Sequence, residues 1–456
     1  MVSHIKSNSY LETQKLIFPY TKILLMINIL FIGNEWRGHG KCNQNTRLEL
    51  PASTDFKEMG FLMVVLLSMS CLSFGSKITS VATYDVTSYG AKGDGNTDDS
   101  SAFLRAWDDL CGDMSPEPTL IIPSDKTFLI NPVAFNGPCK SPTVNIKLLG
   151  NITAPKTLDG WKGCINNNFW IYFTSVQGLK IQGPGQIDGQ GSIWWKNEGQ
   201  TKTNACNRPT ALHFNSCNGL QLSGTKHINS PKIHRSINGC EGVDVGNIQI
   251  FAPRVSPNTD GIDINYSSHV TIHDSNIQIG DDCVAINGGT YDINVTRVFC
   301  GPGHGISIGS LGENGGHDTV EQVRVENCNI SGTTNGLRIK TVPYGTGYAR
   351  GIVFQDIHLV NVVNPIIIDQ HYCTNSENTD CPAPPDASAV KVSDVTYTNI
   401  YGSSATKQVI TFNCSGKYNY TEIVTNEVGI TGLDETSYCQ NTQGKFIDTN
   451  PPINCY

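Results

Sequence analysis

Short runs in which apolar and polar residues alternate recur through most of the chain, and glycine, asparagine or aspartate follows closely. A first series contains Leu179-Lys180-Ile181, Leu220-Gln221-Leu222, Val243-Asp244-Val245, Val270-Thr271-Ile272, Ile293-Asn294-Val295, Val323-Arg324-Val325, Ile352-Val353-Phe354 and Val390-Lys391-Val392. From the run at Leu220 to the run at Ile352, the steps are 23, 27, 23, 30 and 29 residues. Because a period of two is typical of a strand with one buried face, the series predicts repeated β-strands.

A second series of alternating runs keeps step with the first. It contains Ile262-Asp263-Ile264, Val284-Ala285-Ile286, Ile306-Ser307-Ile308, Leu337-Arg338-Ile339 and Ile366-Ile367-Ile368, with steps of 22, 22, 31 and 29 residues. Two strand series with a shared period indicate a parallel β-solenoid, in which each coil adds one strand to each sheet. A sandwich would need Asn-Gly or Asp-Gly hairpins between adjacent strands, and leucine-rich repeats would need their leucine and asparagine frame. Neither is present, so we predict an all-β, single-domain parallel β-helix.

A helical pattern precedes these runs. Phe103, Trp107 and Leu110 stand at i, i+4 and i+7, and Thr97 or Asp98 is suited to be the N-cap. Because a solenoid leaves its end coil exposed, we expect this helix to cap the N-terminal end of the stack.

Two apolar runs lie near the start of the chain, Ile23 to Gly33 and Gly60 to Gly75. Both are shorter than the roughly 20 residues of a membrane-spanning helix, and both have the length of a signal-peptide core. We predict a leader over residues 1–75, with a signal peptide over 59–75, and a catalytic β-helix domain over 76–456. The sequence leaves both Met1 and Met59 open as the start of translation. The alternative is an N-terminal membrane anchor.

Cysteines and glycosylation sequons agree with secretion into the extracellular space or cell wall. Of 16 cysteines, 14 follow Gly75, an even number that suits disulfides in an oxidising compartment. Six Asn-X-Ser/Thr sequons follow as well, at Asn151, Asn265, Asn294, Asn329, Asn413 and Asn419. They predict a glycoprotein. Three late cysteines predict a disulfide-tied C-terminal closure: Cys414, Cys439 and Cys455.

The charge of the chain restricts its partners. Lys and Arg number 32 against 40 Asp and Glu, and charged residues make up only 16% of the chain. A folded protein is expected from the low charged fraction, and the acidic balance argues against nucleic acid or an anionic membrane surface. An acidic polymer held by a few local cations is compatible with it. We expect a monomer.

Polar residues line up when the second series is placed in register. Asp260, Asp282 and His304 each stand two residues before the first apolar residue of their run. Since neighbouring strands lie about 4.8 Å apart, these three side chains should form a column along the solenoid. Asp281 stands beside the middle of that column.

The next coil supplies positive charge to the same patch. Arg338 and Lys340 have the parity opposite to the apolar residues, so we expect them to face outward. Neighbouring carboxylates repel when ionised, so at least one should have a raised pKa. One protonated and one ionised carboxyl can act as the acid and base of glycoside hydrolysis, and the cations suit an anionic sugar. No ligand set has metal spacing, so we expect neither metal nor cofactor.

Seven segments carry a family resemblance over nearly everything after the leader. They are YDVTSYGAKGDGNTDDSSAFLRAWDDLC (84–111), GQIDGQGSIWW (185–195), SPNTDG (256–261), GDDC (280–283), GPGHGISIGS (301–310), NGLRIKT (335–341) and NPIIIDQHYC (364–373). With these motifs in this order, the chain resembles the plant polygalacturonases of glycoside hydrolase family 28. The resemblance implies a right-handed parallel β-helix and a secreted enzyme that cleaves α-1,4-galacturonan (pectin) with inversion in the cell wall.

The resemblance also implies roles for the column residues. Asp281 looks like the general acid, and Asp260 and Asp282 look like the pair that activates water. His304 is similar to the histidine that maintains the protonation state of the carboxyl network.

For substrate binding, the resemblance implies that Arg338 and Lys340 contact a uronate carboxylate. Tyr372 looks like the aromatic contact on the reducing side, and His371 before it leaves room for this loop to differ in detail. Two disulfides are implied, Cys283 with Cys300 and Cys373 with Cys381.

Two other functions compete with the hydrolase. A calcium-dependent pectate lyase would need calcium held by carboxylates and a cationic base, and it would leave His304 and Lys340 without a role. A non-catalytic wall-binding solenoid would be expected to lack one of the carboxylates, and none is lost.

Overall fold

The computed structural model describes residues 81–166, 168–195, 206–373, 387–417 and 419–456, which form one compact unit. Its α-helices are α1 (Ser100–Cys111) and α2 (Ser192–Trp195), and its 3₁₀ turns are Val86–Tyr89, Leu158–Gly160 and Glu313–Gly315. The strands to the middle of the chain are β1 (Thr83–Asp85), β2 (Asp94–Asp98), β3 (Thr119–Ile122), β4 (Thr127–Leu129), β5 (Val133–Asn136), β6 (Val144–Leu148), β7 (Asn151–Thr153), β8 (Phe169–Thr174), β9 (Leu179–Gln182), β10 (Gln186–Asp188), β11 (Thr210–Asn215), β12 (Gln221–Ser223), β13 (Lys226–Ile228), β14 (Arg235–Asn238), β15 (Glu241–Gly246) and β16 (Gln249–Phe251). The remaining strands are β17 (Ile262–Asn265), β18 (Ser268–Gln278), β19 (Val284–Ile286), β20 (Thr290–Cys300), β21 (Ile306–Leu311), β22 (His317–Glu326), β23 (Asn329–Ser331), β24 (Asn335–Thr341), β25 (Thr346–Val362), β26 (Asn364–Asp369), β27 (Lys391–Ser404), β28 (Gln408–Asn413), β29 (Tyr420–Thr431), β30 (Thr436–Gln440) and β31 (Thr442–Asn450).

These strands form two parallel sheets that wind together as a β-helix. Sheet B contains 11 strands, namely β5, β8, β11, β14, β17, β19, β21, β24, β26, β28 and β30. Sheet A contains the other 20 strands. Neighbouring strands of sheet B come from successive coils and pair in parallel. The apolar residues of both sheets fill a shared core.

The predicted register of the second series is confirmed. Ile262 stands opposite Val284, and Val284 stands opposite Ile306. The same row continues through Leu337 and Ile366. These side chains are buried in the core, so the residues of opposite parity form an outward surface of sheet B, called here the site face.

The first series is confirmed over most of its length but is wrong in its last member. Val243, Val270 and Ile293 align as predicted, whereas Ile352 stands opposite Val395 and not Val390. In and just before strand β27, the run Val390-Lys391-Val392 is followed by the polar pair Ser393-Asp394 and then by the similar run Val395-Thr396-Tyr397. Two runs five residues apart therefore look alike in sequence, and the local pattern does not fix the register.

Helix α1 buries Phe103, Trp107 and Leu110. It packs on strands β1, β3 and β5 of the first coils. Asp99 rather than Thr97 or Asp98 occupies the N-cap position, and its carboxylate accepts hydrogen bonds from the backbone of Lys92 and Gly93 instead of capping the helix. That α1 closes the stack stays a prediction.

Four disulfides lie in the described residues: Cys111–Cys139, Cys164–Cys206, Cys283–Cys300 and Cys439–Cys455. The third is the bridge implied by the family resemblance, and the fourth ties the C-terminal end as expected. Cys381 and the predicted leader, residues 1–75, lie outside the described residues. In the ranges that are described, no helix is long and apolar enough to cross a membrane.

Candidate active site

Asp281 and His304 meet at the start of two neighbouring strands of sheet B. His304 Nδ1 lies 2.9 Å from Asp281 Oδ1, and the backbone N–H of His304 donates to the Asp281 carbonyl at 2.6 Å. Asn258 Nδ2 donates to the other carboxylate oxygen of Asp281 at 3.4 Å. Asp281 is therefore held from two neighbouring coils.

Glycine on both sides of His304 allows this close approach of the coils. Gly305 has a φ of +86°, and a Cβ built on it would lie 2.1 Å from the carbonyl oxygen of Asn335. A Cβ on Gly303 would lie 2.7 Å from the carbonyl oxygen of Asp281. A side chain at either position would force apart the strands that position the histidine.

Asp282 has a different environment from its neighbour. Its side chain is almost fully buried, with the residue 1% exposed. Arg338 Nη2 donates to Oδ1 at 2.6 Å, and Lys340 Nζ donates to Oδ2 at 3.0 Å. Ser307 Oγ also donates to Oδ1, at 2.8 Å, and accepts from Arg338 Nε at 2.9 Å. Two cations and a hydroxyl therefore surround one carboxylate.

The cations have the predicted parity, but they are less accessible than expected. Arg338 and Lys340 are only 8% and 7% exposed. Both donate hydrogen bonds to the buried carboxylate of Asp282, which holds their side chains close to the sheet. Tyr372 covers them, with its ring centre 5.2 Å from Lys340 Nζ and 5.9 Å from the guanidinium carbon of Arg338. Both distances are within the range of a cation–π contact. Contacts thus join six of the seven predicted catalytic and binding residues. The seventh, Asp260, is close enough for the charges of Asp281, Asp282 and Lys340 to act on it.

The carboxyl groups of the cluster have different proton affinities. Burial raises the pKa of Asp260 well above its ordinary value, and the negative charges of Asp263, Asp281 and Asp282 raise it further. Burial also acts to raise the pKa of Asp281, but the hydrogen bond and charge of His304, with the charges of Lys340 and Arg338, lower it overall. The cluster therefore contains one carboxyl group that favours the protonated form, Asp260, and one that favours the ionised form, Asp281.

Asp263 is a fourth carboxyl group of the site, which the sequence analysis missed. Burial, together with the charges of Asp282 and Asp281, raises its pKa to about 7. Its Oδ1 atom is buried without a hydrogen-bond partner among the described residues. Its position on the site face was the available signal, since Asp263 lies in the row that continues through Ala285 and Ser307 to Arg338.

Within the described ranges, Asp281, Asp282 and His304 form a group that could hold a metal ion. One potential ligand atom from each lies within 4.8 Å of the others. Both oxygens of Asp282 already accept from cationic groups, however. A divalent cation bound there would have Arg338 and Lys340 as close neighbours, and this repulsion disfavours it.

Carboxyl groups of unequal proton affinity, a histidine and two cations lie together beside one sheet of a parallel β-helix, an arrangement typical of an enzyme that uses acid–base catalysis. The sequence profile of the glycosyl hydrolases family 28 matches residues 111–449. The chain belongs to that family.

Individual relatives agree with this assignment. A probable polygalacturonase from Arabidopsis thaliana is 45% identical, over 84% of this chain and 83% of that protein. A polygalacturonase from Prunus persica is 40% identical, over 83% of this chain and 95% of that protein.

Solved structures show the same fold. The polygalacturonase of Erwinia carotovora superimposes with a TM-score of 0.64 at 25% identity, over 80% of this chain and 96% of that one. An endo-xylogalacturonan hydrolase from Aspergillus tubingensis gives 0.68 at 24% identity, over 82% and 99%. The prediction of a right-handed parallel β-helix is confirmed.

Proposed function

We propose that this protein is a secreted cell-wall hydrolase that cleaves α-1,4-galacturonosyl linkages of polygalacturonan. The observation that carries the proposal is the cluster of Asp260, Asp281, Asp282 and His304 beside Arg338 and Lys340 on the site face. The family membership and the named relatives support the same substrate.

In the proposed reaction, Asp281 gives a proton to the glycosidic oxygen as the bond to the anomeric carbon breaks. Asp260 and Asp282 orient a water molecule and accept its proton while its oxygen bonds to the anomeric carbon. His304 is bonded to Asp281, where it can influence the proton on that carboxyl.

Substrate binding would help Asp281 to hold its proton. In the structure, the charges of His304, Lys340 and Arg338 lower the pKa of Asp281. A uronate carboxylate placed against the two cations would offset their charge and so raise that pKa. The acid would then be protonated when substrate is present.

A second assignment of the acid has its own support. Asp260 is the group whose pKa is raised well above the ordinary range by burial and by neighbouring carboxylates. In the substrate-free site it is the better proton holder of the two. Asp260 as the acid and Asp281 as a base is therefore the competing assignment, and variants of the two residues distinguish them.

The proposed reaction is tested by product chemistry on polygalacturonate. Hydrolysis gives new reducing ends without an unsaturated sugar, and we expect the rate to be unchanged after exhaustive EDTA treatment. An unsaturated product whose formation stops with EDTA and returns with calcium would establish the lyase instead. Binding to the polymer without any product would establish the non-catalytic solenoid. Inversion is tested by NMR of the first anomer released.

A further inference from the structure

Three aromatic rings form a layer at the N-terminal end of the site face. The ring centres of Phe169 and His213 are 4.0 Å apart, and Tyr172 lies 5.4 Å from each. The three ring planes lie within 20° of one another. Phe169 and Tyr172 are partly exposed, whereas His213 is only 8% exposed. We call these residues the ring cluster.

The ring cluster lies in line with the candidate catalytic residues. Tyr172 stands opposite His213, His213 opposite Ser236, and Ser236 opposite Asp263. Three strand steps of about 4.8 Å each place Tyr172 about 14 Å from Asp263. Arg338 lies on the other side, three steps beyond Asp263 in the same row. A chain bound along the site face would therefore pass from the cations over the acids to the rings.

The chemistry of the ring cluster differs from that of the cation end. Tyr172 faces outward while its neighbours Ile171 and Phe173 are buried in the core, so its ring is not part of the core packing. His213 Nδ1 is buried without a hydrogen-bond partner among the described residues. Burial lowers the pKa of His213 to about 4, so the imidazole is neutral under mildly acidic conditions and adds no charge. The cluster offers a flat, mainly apolar surface.

We infer that the ring cluster is a sugar-binding subsite, in which the C–H face of a galacturonosyl ring packs on Tyr172 and Phe169. This inference rests on the proposed function. Aromatic rings present an apolar face that suits the C–H face of a pyranose, and Phe169 and Tyr172 are both partly exposed beside the row of candidate catalytic residues. Because Tyr372 is assigned to the reducing side, the subsite takes a residue on the non-reducing side, several units from the cleaved bond.

The test compares long and short substrates. One sugar residue is about as long as one strand step, so a trimer bound at the acids does not span to Tyr172, whereas an octamer does. Tyr172→Ala should lower the ratio of kcat/KM on the octagalacturonide to kcat/KM on the trigalacturonide by about three- to tenfold. Tyr172→Phe, which keeps the ring, should retain most of this preference.

Tyr401→Ala is the matched control. Tyr401 stacks on His358 of the neighbouring coil at 4.9 Å, but this pair lies on sheet A, away from the site face. Its removal should leave the ratio unchanged. If Tyr172→Ala does not fold, Tyr172→Leu fills much of the volume without a ring and is measured in the same way.

The outcomes separate this inference from the proposed function. A wild-type protein that hydrolyses neither oligomer contradicts the proposed function. A wild-type protein that hydrolyses both, with a ratio that Tyr172→Ala or Tyr172→Leu leaves unchanged, overturns the ring subsite alone. A ratio that falls equally in Tyr401→Ala also overturns it.

Discussion

Two regions of sheet B bury charged or polar side chains, one on the site face and one in the core. On the site face, Arg338 and Lys340 share the carboxylate of Asp282. In the core, Arg235 occupies a position between Leu212 and Ile262, where other coils place apolar residues. Its Nη2 donates to Thr225 Oγ1 at 2.7 Å, but its Nε is without a partner among the described residues.

The comparison teaches that burial alone does not make a functional site. Burial lowers the pKa of Arg235 to about 9, and no carboxylate is among its hydrogen-bond partners in the described part of the chain. Around Asp282, by contrast, each carboxylate oxygen accepts a hydrogen bond from one cation, Oδ1 from Arg338 and Oδ2 from Lys340. On the site face, the buried charges are paired and lie where a substrate could meet them. In the core, burying the charge of Arg235 costs free energy and provides no catalytic group.

The largest effect is expected from the acid on the site face. Asp281→Asn is nearly isosteric but has no proton to give, so kcat on polygalacturonate should fall by about 10²–10⁴-fold while KM changes little. Steady-state kinetics measure it, and the melting temperature should stay within a few degrees of wild type. A folded Asp281→Asn protein with more than about a tenth of wild-type kcat would contradict the assignment. A larger loss in Asp260→Asn would then favour Asp260.

Removing the Asp282 carboxylate, which Arg338 and Lys340 share, should destabilise the protein far more than removing the Arg235 charge in the core. Asp282→Ala leaves Arg338 and Lys340 close together and buried without their counter-charge, so the free energy of unfolding should fall by about 3–5 kcal/mol. Arg235→Leu is the matched variant in the core. It removes a charge that has no anion partner in the described residues, and it should leave stability unchanged or higher. Urea titration measures both, and equal losses would contradict the distinction.

The sequence predicted the column of Asp260, Asp282 and His304 because the period of the strands alone determines which residues stack. It did not predict that Asp282 would be buried against Arg338, since the two are 56 residues apart and their contact depends on how neighbouring coils approach. The sequence analysis made no prediction for Arg235, which precedes the runs of the second series, and its charge gave no reason to expect it in the core between Leu212 and Ile262.

Lys340→Ala should have a smaller effect than loss of the acid. It removes one charge-assisted contact worth about 1.5–3 kcal/mol, so kcat/KM should fall by about one to two powers of ten. If Lys340 binds a substrate carboxylate, KM should rise more than kcat falls, because the contact is present before and during the reaction. A fall confined to kcat would show instead that Lys340 acts through Asp282, to which it donates at 3.0 Å.

The smallest effect is expected in the core, at His227. This side chain lies between Ile187 and Ile250, and neither ring nitrogen has a hydrogen-bond partner among the described residues. Burial lowers its pKa well below the ordinary value, and the neighbouring charges of His234 and Arg235 lower it further. Below about pH 6.5 the unfolded chain gains a proton there that the folded protein does not.

Stability should therefore fall as the pH decreases through that window, by up to about 1.4 kcal/mol per pH unit, or about 2 kcal/mol at pH 5. His227→Leu removes this contribution, so its advantage over wild type should be larger at pH 5 than at pH 7. Asp260 and Asp263, whose pKa values burial raises, act in the opposite direction, since they bind protons more tightly in the folded state. The measurement is therefore the difference between variant and wild type in urea titrations at the two pH values. An advantage that is equal at pH 5 and pH 7 would mean that His227 gains its proton without unfolding.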